Sequence, residues 1–311
     1  MYSWGDERRF NSYARYFSRI FGSRIQKLSV NAGFSCPNRD GYISTGGCSF
    51  CNNEAFSPSY CKAEKSVKQQ LEEGIEFHAN RYRKASSYLA YFQSFSNTYA
   101  PLEHLKQIYN QALEFDCVKG IVVGTRPDCV DEYKLDYFAQ LIEKGYYVSI
   151  EYGIESTNDK VLKDINRGHD FATAQRAVEM TAQRGINVGA HFILGLPSES
   201  KSSMLESLEL INALELTTVK FHQLQMFKGT AMAEDYALNP DDYSFFELEE
   251  YLDFFIEILV RLNPSFVLER FVSEAPPRFH AGPNWGIIRN EQIMSRFEKL
   301  LLAGSVAGNV V

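Results

Sequence analysis

Three cysteines in one short stretch of the chain have the spacing of a metal centre. Cys36, Cys48 and Cys51 form the pattern C-x11-C-x2-C in a segment that also contains proline and glycine. Thiolates bind soft metal centres, and a cubane iron–sulfur cluster held by three of them leaves one iron without a protein ligand. A structural zinc site is the alternative, and it requires four closed ligands. Cys61 is available as the fourth, but nine residues separate it from Cys51, and the chain has no second C-x-x-C pair.

Composition narrows the class of protein. The chain has 311 residues, of which 45% are hydrophobic and 23% charged, as in ordinary soluble globular proteins. Its six cysteines are too few for a disulfide framework, so we expect a reducing compartment. Cys61, unless it is the fourth zinc ligand, and Cys117 and Cys129 are expected to be plain thiols. The N-terminus has no apolar stretch typical of a signal peptide, and no segment is long and apolar enough to span a membrane. We therefore expect a cytoplasmic protein with no membrane partner.

The N-terminal segment is basic although the whole chain carries a net charge of −7. Such a charge argues against tight, non-specific wrapping of nucleic acid. Residues 1–27 nevertheless carry six arginines and lysines against Asp6 and Glu7, a local balance of +4, with aromatic residues among them. Two interpretations fit this pattern. The segment is an amphipathic helix that packs its aromatic stripe on the body, or its arginines also face a nucleic acid.

The middle of the sequence alternates between runs with strand character and segments with helical period. The runs that predict strands are Leu28–Ala32, Tyr88–Gln93, Gly120–Val123, Tyr147–Tyr152, Val188–Leu194 and Val219–Met226. Pro101–Phe115, Asp131–Lys144 and the segment after the N-cap residue Asp170 have the apolar period of helices. Six strands that alternate with helices predict a parallel α/β sheet, either a partial barrel or a doubly wound sheet. In both architectures the site lies at the carboxyl ends of the strands.

The alternation stops at about residue 240. Glu247–Leu262 and Glu291–Leu302 have the apolar period of helices, and Arg270–Arg289 is rich in proline and glycine and predicts a loop. The last residues, 303–311, are expected to be frayed. These changes divide the chain into an N-terminal helical extension (1–27), a core barrel (28–240) and a C-terminal extension (241–311) that packs on the barrel.

A series of motifs at the predicted strand ends resembles the radical S-adenosylmethionine (SAM) superfamily. More narrowly, it is similar to the YhcC/YtqA-type family, which is related to the radical SAM half of the Elongator catalytic subunit. The matching motifs span most of the chain: Asn31–Gly41, Gly124–Asp128, Glu151–Ser156, Asn166–His169, Gly195–Pro197, Phe227–Thr230 and Glu269–Arg270. The resemblance implies a partial (βα)6 TIM-like barrel of the radical SAM type. It also implies an enzyme with a [4Fe–4S] cluster on Cys36, Cys48 and Cys51, and with SAM chelating the open iron.

The resemblance implies a reaction as well. The reduced cluster passes one electron to the SAM sulfonium, and homolytic cleavage yields methionine and a 5′-deoxyadenosyl radical that abstracts hydrogen from the substrate. The electron donor is expected to be a protein such as flavodoxin or ferredoxin. Because the cofactors carry this chemistry, the protein is expected to supply position and a dry cavity, and we assign no catalytic side chain.

Two segments near the first strands match SAM-binding positions of the superfamily. Phe50, between the last two cysteines, places its ring against the adenine in this interpretation, or it packs within its own loop. The turn after the second strand, Gln93, Ser94, Phe95 and Ser96, occupies the position where relatives bind the SAM amino group through a glycine-rich turn. This turn contains no glycine, so the resemblance does not define its individual contacts.

Three further residues match polar SAM contacts. Glu155, at the end of the fourth strand, matches the position that hydrogen-bonds the ribose. Arg167 matches the arginine that meets the SAM carboxylate as a charge-assisted pair. His191, on the fifth strand, matches another ribose contact. A surface salt bridge is the alternative for Glu155 and Arg167, and a satisfied core position is the alternative for His191.

The substrate that the resemblance implies is tRNA. The Elongator relative acts at carbon 5 of the wobble uridine with an attached acetyltransferase domain, for which this chain leaves no room. We therefore expect modification of the wobble-uridine side chain without acetyl-CoA. C-terminal arginines such as Arg270 support contact with RNA, and Phe279 and Trp285 fit either stacking on a splayed base or packing under their loop. A small metabolite or peptide substrate, and a non-enzymatic zinc-stabilised binding module, are the alternatives.

Overall fold

Seven parallel strands form one curled sheet in the part of the chain that the structure describes. This computed structural model describes residue 2 and residues 4–79 and 85–306. The strands pair in chain order: β1 (Ile25–Val30), β2 (Ser87–Phe92), β3 (Val118–Thr125), β4 (Tyr147–Glu155), β5 (Asn187–Leu194), β6 (Thr218–Gln223) and β7 (Val267–Arg270). Because neighbours in sequence are also neighbours in the sheet from β1 to β7, the fold is a TIM-like half-barrel rather than a doubly wound sheet.

Helices connect the strands and pack around the sheet. In the described residues they are α1 (Tyr13–Phe21), α2 (Val67–Ala79), α3 (Leu102–Leu113), α4 (Glu132–Glu143), α5 (Asp159–Asp164), α6 (Phe171–Ala182), α7 (Lys201–Asn212), α8 (Ala231–Leu238), α9 (Leu248–Arg261) and α10 (Asn290–Val306). The N-cap predicted at Asp170 is confirmed, since its side chain accepts a hydrogen bond from the backbone N–H of Thr173 and starts α6. None of these described helices combines the length and the apolar character that crossing a bilayer takes.

The C-terminal part of the chain differs from the prediction. Val267–Arg270 forms β7 and pairs with β6, although we expected no strand after residue 240. A strand of four residues, two of them charged, is too short to display a period in the sequence, and β6 supplies the partner that it needs. Helix α10 extends to Val306, so the frayed end begins later than expected, and residues 307–311 lie outside the described part. The division into three segments stays a prediction.

Helix α1 closes the amino-terminal end of the half-barrel. Phe17 is 2% exposed, and its ring centroid lies 5.2 Å from that of Tyr147, the first residue of β4. Leu89 and Val122 complete this apolar cluster on the inner face of the sheet. The aromatic stripe thus packs on the body, as one interpretation predicted. Several arginines of the segment are exposed, at the end of the barrel opposite the strand-end motifs: Arg8, Arg15, Arg19 and Arg24.

A layer of buried charges lies next to this cluster inside the barrel. Glu151 of β4 accepts hydrogen bonds from Lys27 of β1 and Lys220 of β6, both at 2.6 Å. Glu269 of β7 lies 2.8 Å from the Lys27 ammonium and 3.1 Å from that of Lys220. Two ammonium groups are therefore shared by two carboxylates, and an ion pair joins the edge strands β1 and β7. Lys27, one of the basic residues of segment 1–27, points into the barrel instead of toward solvent.

The charged layer is tightly packed and ionised. Burial would raise the pKa of Glu151, but Lys220 and Lys27 outweigh burial and hold that pKa well below its usual range. Gly189 of β5 leaves the space that the Glu151 side chain fills, since a Cβ there would lie 2.8 Å from both Glu151 and Thr218. The carboxylate therefore stays charged at neutral pH and neutralises the lysines around it.

Replacing the carboxylate at the centre of this layer will destabilise the fold. Glu151→Gln leaves two buried ammonium groups with one carboxylate, and breaking a buried ion pair in this way costs about 3–5 kcal/mol. Glu143→Gln, at an exposed position at the end of α4, is the matched control and should change the free energy of unfolding by no more than about 0.5 kcal/mol. Urea denaturation measures both, and equal stability of the two variants would contradict this account of the layer.

Candidate active site

One cavity at the carboxyl ends of the strands contains all the side chains that the sequence predicts to bind the cluster and SAM. Its wall includes the three cysteines and the eight expected SAM contacts: Cys36, Cys48, Cys51, Phe50, Gln93, Ser94, Phe95, Ser96, Glu155, Arg167 and His191. They come from the loop after β1, the turn after β2, strands β4 and β5, and the segment between α5 and α6. Residues distant in sequence meet here because the carboxyl ends of parallel strands share one edge of the sheet.

The cysteine loop forms one side of the cavity. Cys36 and Cys48 are 9% and 8% exposed, and the backbone N–H of Cys51 donates to the Cys48 carbonyl at 3.0 Å in a tight turn. Two side-chain donors approach one thiol, since Arg167 Nη1 lies 3.3 Å and Asn38 Nδ2 3.5 Å from Cys48 Sγ. Arg167 and Asn38 therefore offer hydrogen-bond donors to a sulfur that binds a metal.

Cys61 lies apart from the other three cysteines. It is buried, burial raises the pKa of its thiol to about 11, and it does not line the cavity. Among the described residues, no three side chains of His, Cys, Asp or Glu converge closely enough to hold a single metal ion. Cys36, Cys48 and Cys51 line one shared cavity, an arrangement that fits three thiolates on three different irons of a cubane.

The turn after β2 has a backbone conformation typical of glycine although it contains none. Phe95 has a φ of 63°, in the left-handed region that costs a residue with a Cβ about 1–3 kcal/mol. Ser94 and Ser96 are buried on either side, and the N–H of Ser96 donates to the Ser35 carbonyl of the cysteine loop at 3.2 Å. Gln93 donates to the Ser29 hydroxyl at 3.0 Å. The turn is thus strained but anchored to the cysteine loop and to β1.

The side chains of Glu155 and Arg167 meet over Gly153. Their nearest nitrogen and oxygen are 3.7 Å apart, and Arg167 also donates to the carbonyl of Gly153. A Cβ at residue 153 would collide with both side chains. Burial raises the pKa of Glu155, although Arg167 and Arg126 oppose this effect. The pair is buried rather than a surface salt bridge, and Arg167 Nε has no hydrogen-bond partner in the described part of the chain, which leaves a donor for a ligand.

Phe50 and His191 each make contacts within the protein and also line the cavity. The ring of Phe50 is half-buried, packs against the apolar core and also lines the cavity. His191 Nε2 lies 3.0 Å from the Glu151 carboxylate, and the same side chain lines the cavity. Burial and then Lys220 lower the pKa of His191 to about 4, so its imidazole is neutral at neutral pH. His191 is therefore a satisfied buried histidine and a cavity residue at once.

Other cavity residues were not selected as site residues from the sequence. Arg126 makes hydrogen bonds of 2.7 and 2.8 Å with Asp128, as a structural pair, yet it also lines the cavity. More of the wall comes from β6, β7 and the segments after them: His222, Gln223, Gln225, Arg270 and Ser273. Arg270 was expected on a surface that faces RNA, and β7 instead carries it into the cavity. The motif Glu269–Arg270 was its only signal, because β7 itself is not visible in the sequence.

The two aromatic residues of the C-terminal loop have different surroundings. Trp285 Nε1 donates to the Phe246 carbonyl at 2.8 Å, and its ring centroid lies 5.2 Å from that of Tyr251. Trp285 therefore packs against Tyr251 of α9, as the packing interpretation predicted. Phe279 is half-buried and lies in the short turn Pro277–Phe279.

The mouth of the cavity carries basic and aromatic side chains. Phe56 lines the cavity and is 40% exposed. The N–H of Lys228, which follows the cavity residue Phe227, donates to the Phe279 carbonyl at 2.8 Å and so holds the turn of Phe279 at this rim. Lys228 and Arg278 are exposed, and the Arg278 guanidinium lies 4.9 Å from the centre of the Phe279 ring. We call Phe56, Lys228, Arg278 and Phe279 the cavity mouth.

Known proteins share both the sequence pattern and the fold. The family model of the Radical SAM superfamily matches residues 38–211, and that of the Radical_SAM C-terminal domain matches residues 216–300. Protein YhcC of Escherichia coli K12 is 36% identical over 275 residues, which cover 88% of this chain and 87% of the relative. The uncharacterised protein YtqA of Bacillus subtilis 168 is 30% identical over 302 residues, or 97% of this chain and 92% of the relative.

A solved structure shares the fold. The archaeal Elp3 of Methanocaldococcus infernus with an N-terminal deletion has a TM-score of 0.65 at 15% identity, over 89% of this chain and 63% of that chain. At this identity the likeness shows a shared fold alone, whereas the family models and the two relatives match this chain in sequence. The chain therefore belongs to the radical SAM superfamily, in the family of YhcC and YtqA, and is a radical SAM enzyme whose cofactors are a [4Fe–4S] cluster and SAM.

Proposed function

We propose that this enzyme binds its [4Fe–4S] cluster through Cys36, Cys48 and Cys51 and cleaves SAM that chelates the open iron. The observation that carries the proposal is the one cavity that joins these cysteines to the residues expected to contact SAM. When bound and reduced, the cluster supplies one electron for cleavage of SAM to methionine and a 5′-deoxyadenosyl radical. Free thiols and such a cluster require reducing conditions, so we place the enzyme in the cytoplasm, with flavodoxin or ferredoxin as the electron donor.

The polar side chains over Gly153 are proposed to orient SAM. Arg167 is to bind the SAM carboxylate, because it is buried, always charged and retains an unpartnered Nε. Glu155 is to accept hydrogen bonds from the ribose hydroxyls through its carboxylate. His191 offers a neutral imidazole for a second ribose contact, since its pKa of about 4 keeps it uncharged at neutral pH.

The cysteine loop and the turn after β2 are proposed to enclose the rest of SAM. Phe50, which already packs against the core, is to place its ring against the adenine. Gln93, Ser94, Phe95 and Ser96 are to surround the amino group. Their turn is anchored to the cysteine loop and to β1, so the groups are held in place before SAM arrives.

We propose tRNA as the substrate, with modification at the C5 side chain of the wobble uridine. The cavity mouth supports this proposal, because exposed cations next to aromatic rings suit phosphates and unstacked bases. The motifs shared with the Elongator radical SAM half point to the wobble uridine. The arginines of α1 do not add to this surface, because α1 lies at the opposite end of the barrel.

Removing one cysteine of the cavity will abolish the cluster. Cys48→Ala leaves two thiolates and is expected to lose the brown colour, most of the bound iron and the formation of 5′-deoxyadenosine after anaerobic reconstitution. Cys117→Ala is the matched control, because Cys117 is half-buried outside the cavity and should keep all three properties. SAM cleavage that survives in Cys48→Ala, or a colourless wild-type protein that binds zinc, would contradict the cluster assignment.

Replacing Arg167, the residue proposed to bind the SAM carboxylate, by lysine will weaken SAM binding. Arg167→Lys keeps the charge but loses the planar set of donors, so the dissociation constant of SAM should rise about tenfold or more. Arg184→Lys, which alters a partly exposed arginine paired with Asp136, should leave the constant unchanged. Equilibrium binding of SAM to the reconstituted variants measures the difference. Equal affinity in both variants would remove Arg167 from the SAM site.

The affinity for tRNA is expected to depend on the cations of the cavity mouth. Replacing both Lys228 and Arg278 by Gln at the cavity mouth should weaken tRNA binding and reduce its salt dependence by about one unit per lost phosphate contact. Replacing Arg15 and Arg24 by Gln, at the far end of the barrel, is the control and should change neither. A loss of affinity confined to the control pair would contradict the proposal. So would unchanged wobble nucleosides in tRNA from cells that lack the protein, and a small-molecule or peptide substrate would then be favoured.

A further inference from the structure

The half of the cavity formed by β6 and β7 has no role in the proposed binding of the cluster and SAM. Its wall contains His222, Gln223, Gln225, Arg270 and Ser273. Arg270 is half-buried, and its Nε is buried with no hydrogen-bond partner among the described residues. Buried polar groups in folded proteins are nearly always hydrogen-bonded, and buried charges are paired. An unpaired guanidinium in a cavity wall therefore indicates a partner that the chain does not provide.

A bulge in β7 turns Arg270 toward the cavity. Val219 of β6 pairs with Leu268 and Lys220 pairs with Arg270, so Glu269 is an additional residue on β7. Bulges of this kind re-aim side chains and occur next to active sites. Here Glu269 contacts the lysines of the charged layer, and Arg270 lines the cavity. Glu269 thus belongs to the charged layer, and the next residue, Arg270, belongs to the cavity wall.

The segment after β7 is fastened to the end of β6. The N–H of Ser273 donates to Gln223 Oε1 at 3.0 Å, while Gln223 Nε2 and Gln225 Nε2 donate to the Ser273 carbonyl at 3.1 and 2.8 Å. These bonds fix the backbone just beyond Arg270. The guanidinium is therefore carried by a braced segment rather than by a free loop.

Among the charged side chains of the layer and the adjoining cavity wall, Arg270 has no carboxylate partner. Lys27 and Lys220 balance Glu151 and Glu269, and within the described chain no carboxylate lies at ion-pair distance from Arg270. The neighbouring histidine adds no charge, because burial and then Arg270 hold the pKa of His222 well below its usual range. This side of the cavity therefore carries a net positive charge that an anion would neutralise.

We propose that Arg270, with His222 beside it, binds an anionic oxygen group of the substrate, a carboxylate or a phosphate, on the β6–β7 side of the cavity. A guanidinium presents several donors in one plane and matches the oxygens of either group, and a neutral imidazole adds one more donor. The inference rests on the proposed function, because it places the substrate across the cavity from SAM. The anionic group anchors the substrate at Arg270.

Thermal unfolding of the reconstituted enzyme in different salts tests this site. Sodium phosphate and sodium acetate are compared with sodium chloride at equal ionic strength. At least one oxyanion should raise the Tm of the wild type by about 2–4 °C, and Arg270→Gln should lose that gain. Arg261→Gln, at an exposed position at the end of α9, should retain it. A rise in Tm that occurs in sodium phosphate alone indicates a phosphate-bearing substrate, and a rise in Tm in sodium acetate indicates a substrate with a carboxylate. No gain, or an equal gain in Arg270→Gln, overturns the proposal.

The same variant in chloride separates a binding role from a structural one. Arg270→Gln removes an uncompensated cation, so its Tm should equal or exceed that of the wild type. Glu151→Gln, which breaks the charged layer, should instead lower the Tm. If Arg270→Gln lowers the Tm as much as Glu151→Gln does, Arg270 is a structural member of the layer and the proposal is overturned.

Iron content and SAM affinity distinguish failure of this inference from failure of the proposed function. Arg270→Gln should retain the cluster and bind SAM within about twofold of the wild type, because SAM is placed on the other side of the cavity. A tenfold or larger loss of SAM affinity would assign Arg270 to SAM and overturn the proposal. A wild-type protein that holds neither the cluster nor SAM contradicts the proposed function instead, whatever the anions do.

Discussion

The two edge strands of the half-barrel are joined through buried charge. Lys27 of β1 and Glu269 of β7 are 242 residues apart in sequence, and their ammonium and carboxylate groups lie 2.8 Å apart. Glu151 and Lys220 complete the layer, so each charge has an opposite neighbour on another strand. Buried charges are costly unless they are paired. The sheet keeps them paired only while its curvature brings β1, β4, β6 and β7 together, and the shape of the cavity depends on that curvature.

The charged layer separates two environments inside the barrel. On the amino-terminal side, Phe17 of α1 packs with Leu89 and Val122 in an apolar cluster. On the other side is the cavity that the cysteines line. Glu151 belongs to both the layer and the cavity wall, and through its contact with His191 it orients an imidazole that burial keeps neutral. The protein thus closes the barrel at one end and confines the open, reactive part to the other, which suits radical chemistry that water and stray donors would quench.

Three of the four described non-glycine residues with a positive φ lie in the cavity wall or next to a residue of that wall. Phe95, Glu155 and Asn166 adopt left-handed conformations that favour glycine, with φ of 63°, 75° and 52°. Asn166 precedes Arg167, and its side chain donates to the Gly47 carbonyl of the cysteine loop at 2.8 Å. Strained residues persist where the surroundings hold them, and they cluster at functional sites. The turn at Phe95 and the segment at Asn166 each lie against the loop that carries the cysteines.

The sequence alone determined the class of protein and the local parts of its fold. Apolar periods located six of the seven described strands and three of the helices between them, because a strand or helix that packs on a core repeats its buried side chains. The cysteine spacing and the order of the strand-end motifs were sufficient to relate the chain to the radical SAM superfamily. All the residues selected from them line one cavity, since each lies in or beyond a strand of the same parallel sheet.

Only the tertiary structure decided what lies inside the barrel. In the sequence, Lys27 belongs to a basic N-terminal segment and Arg270 to an arginine-bearing C-terminal segment. In the structure, both side chains point into the barrel. Apolar patterning cannot reveal this, because a charged side chain interrupts the apolar period in the same way whether it faces solvent or the inside of the barrel. The four residues of β7 become a strand only by pairing with β6, and their bulge then divides Glu269 and Arg270 between the charged layer and the cavity. The cysteines could be identified from their spacing, whereas the surface opposite SAM exists only because the two ends of the sheet curl toward each other.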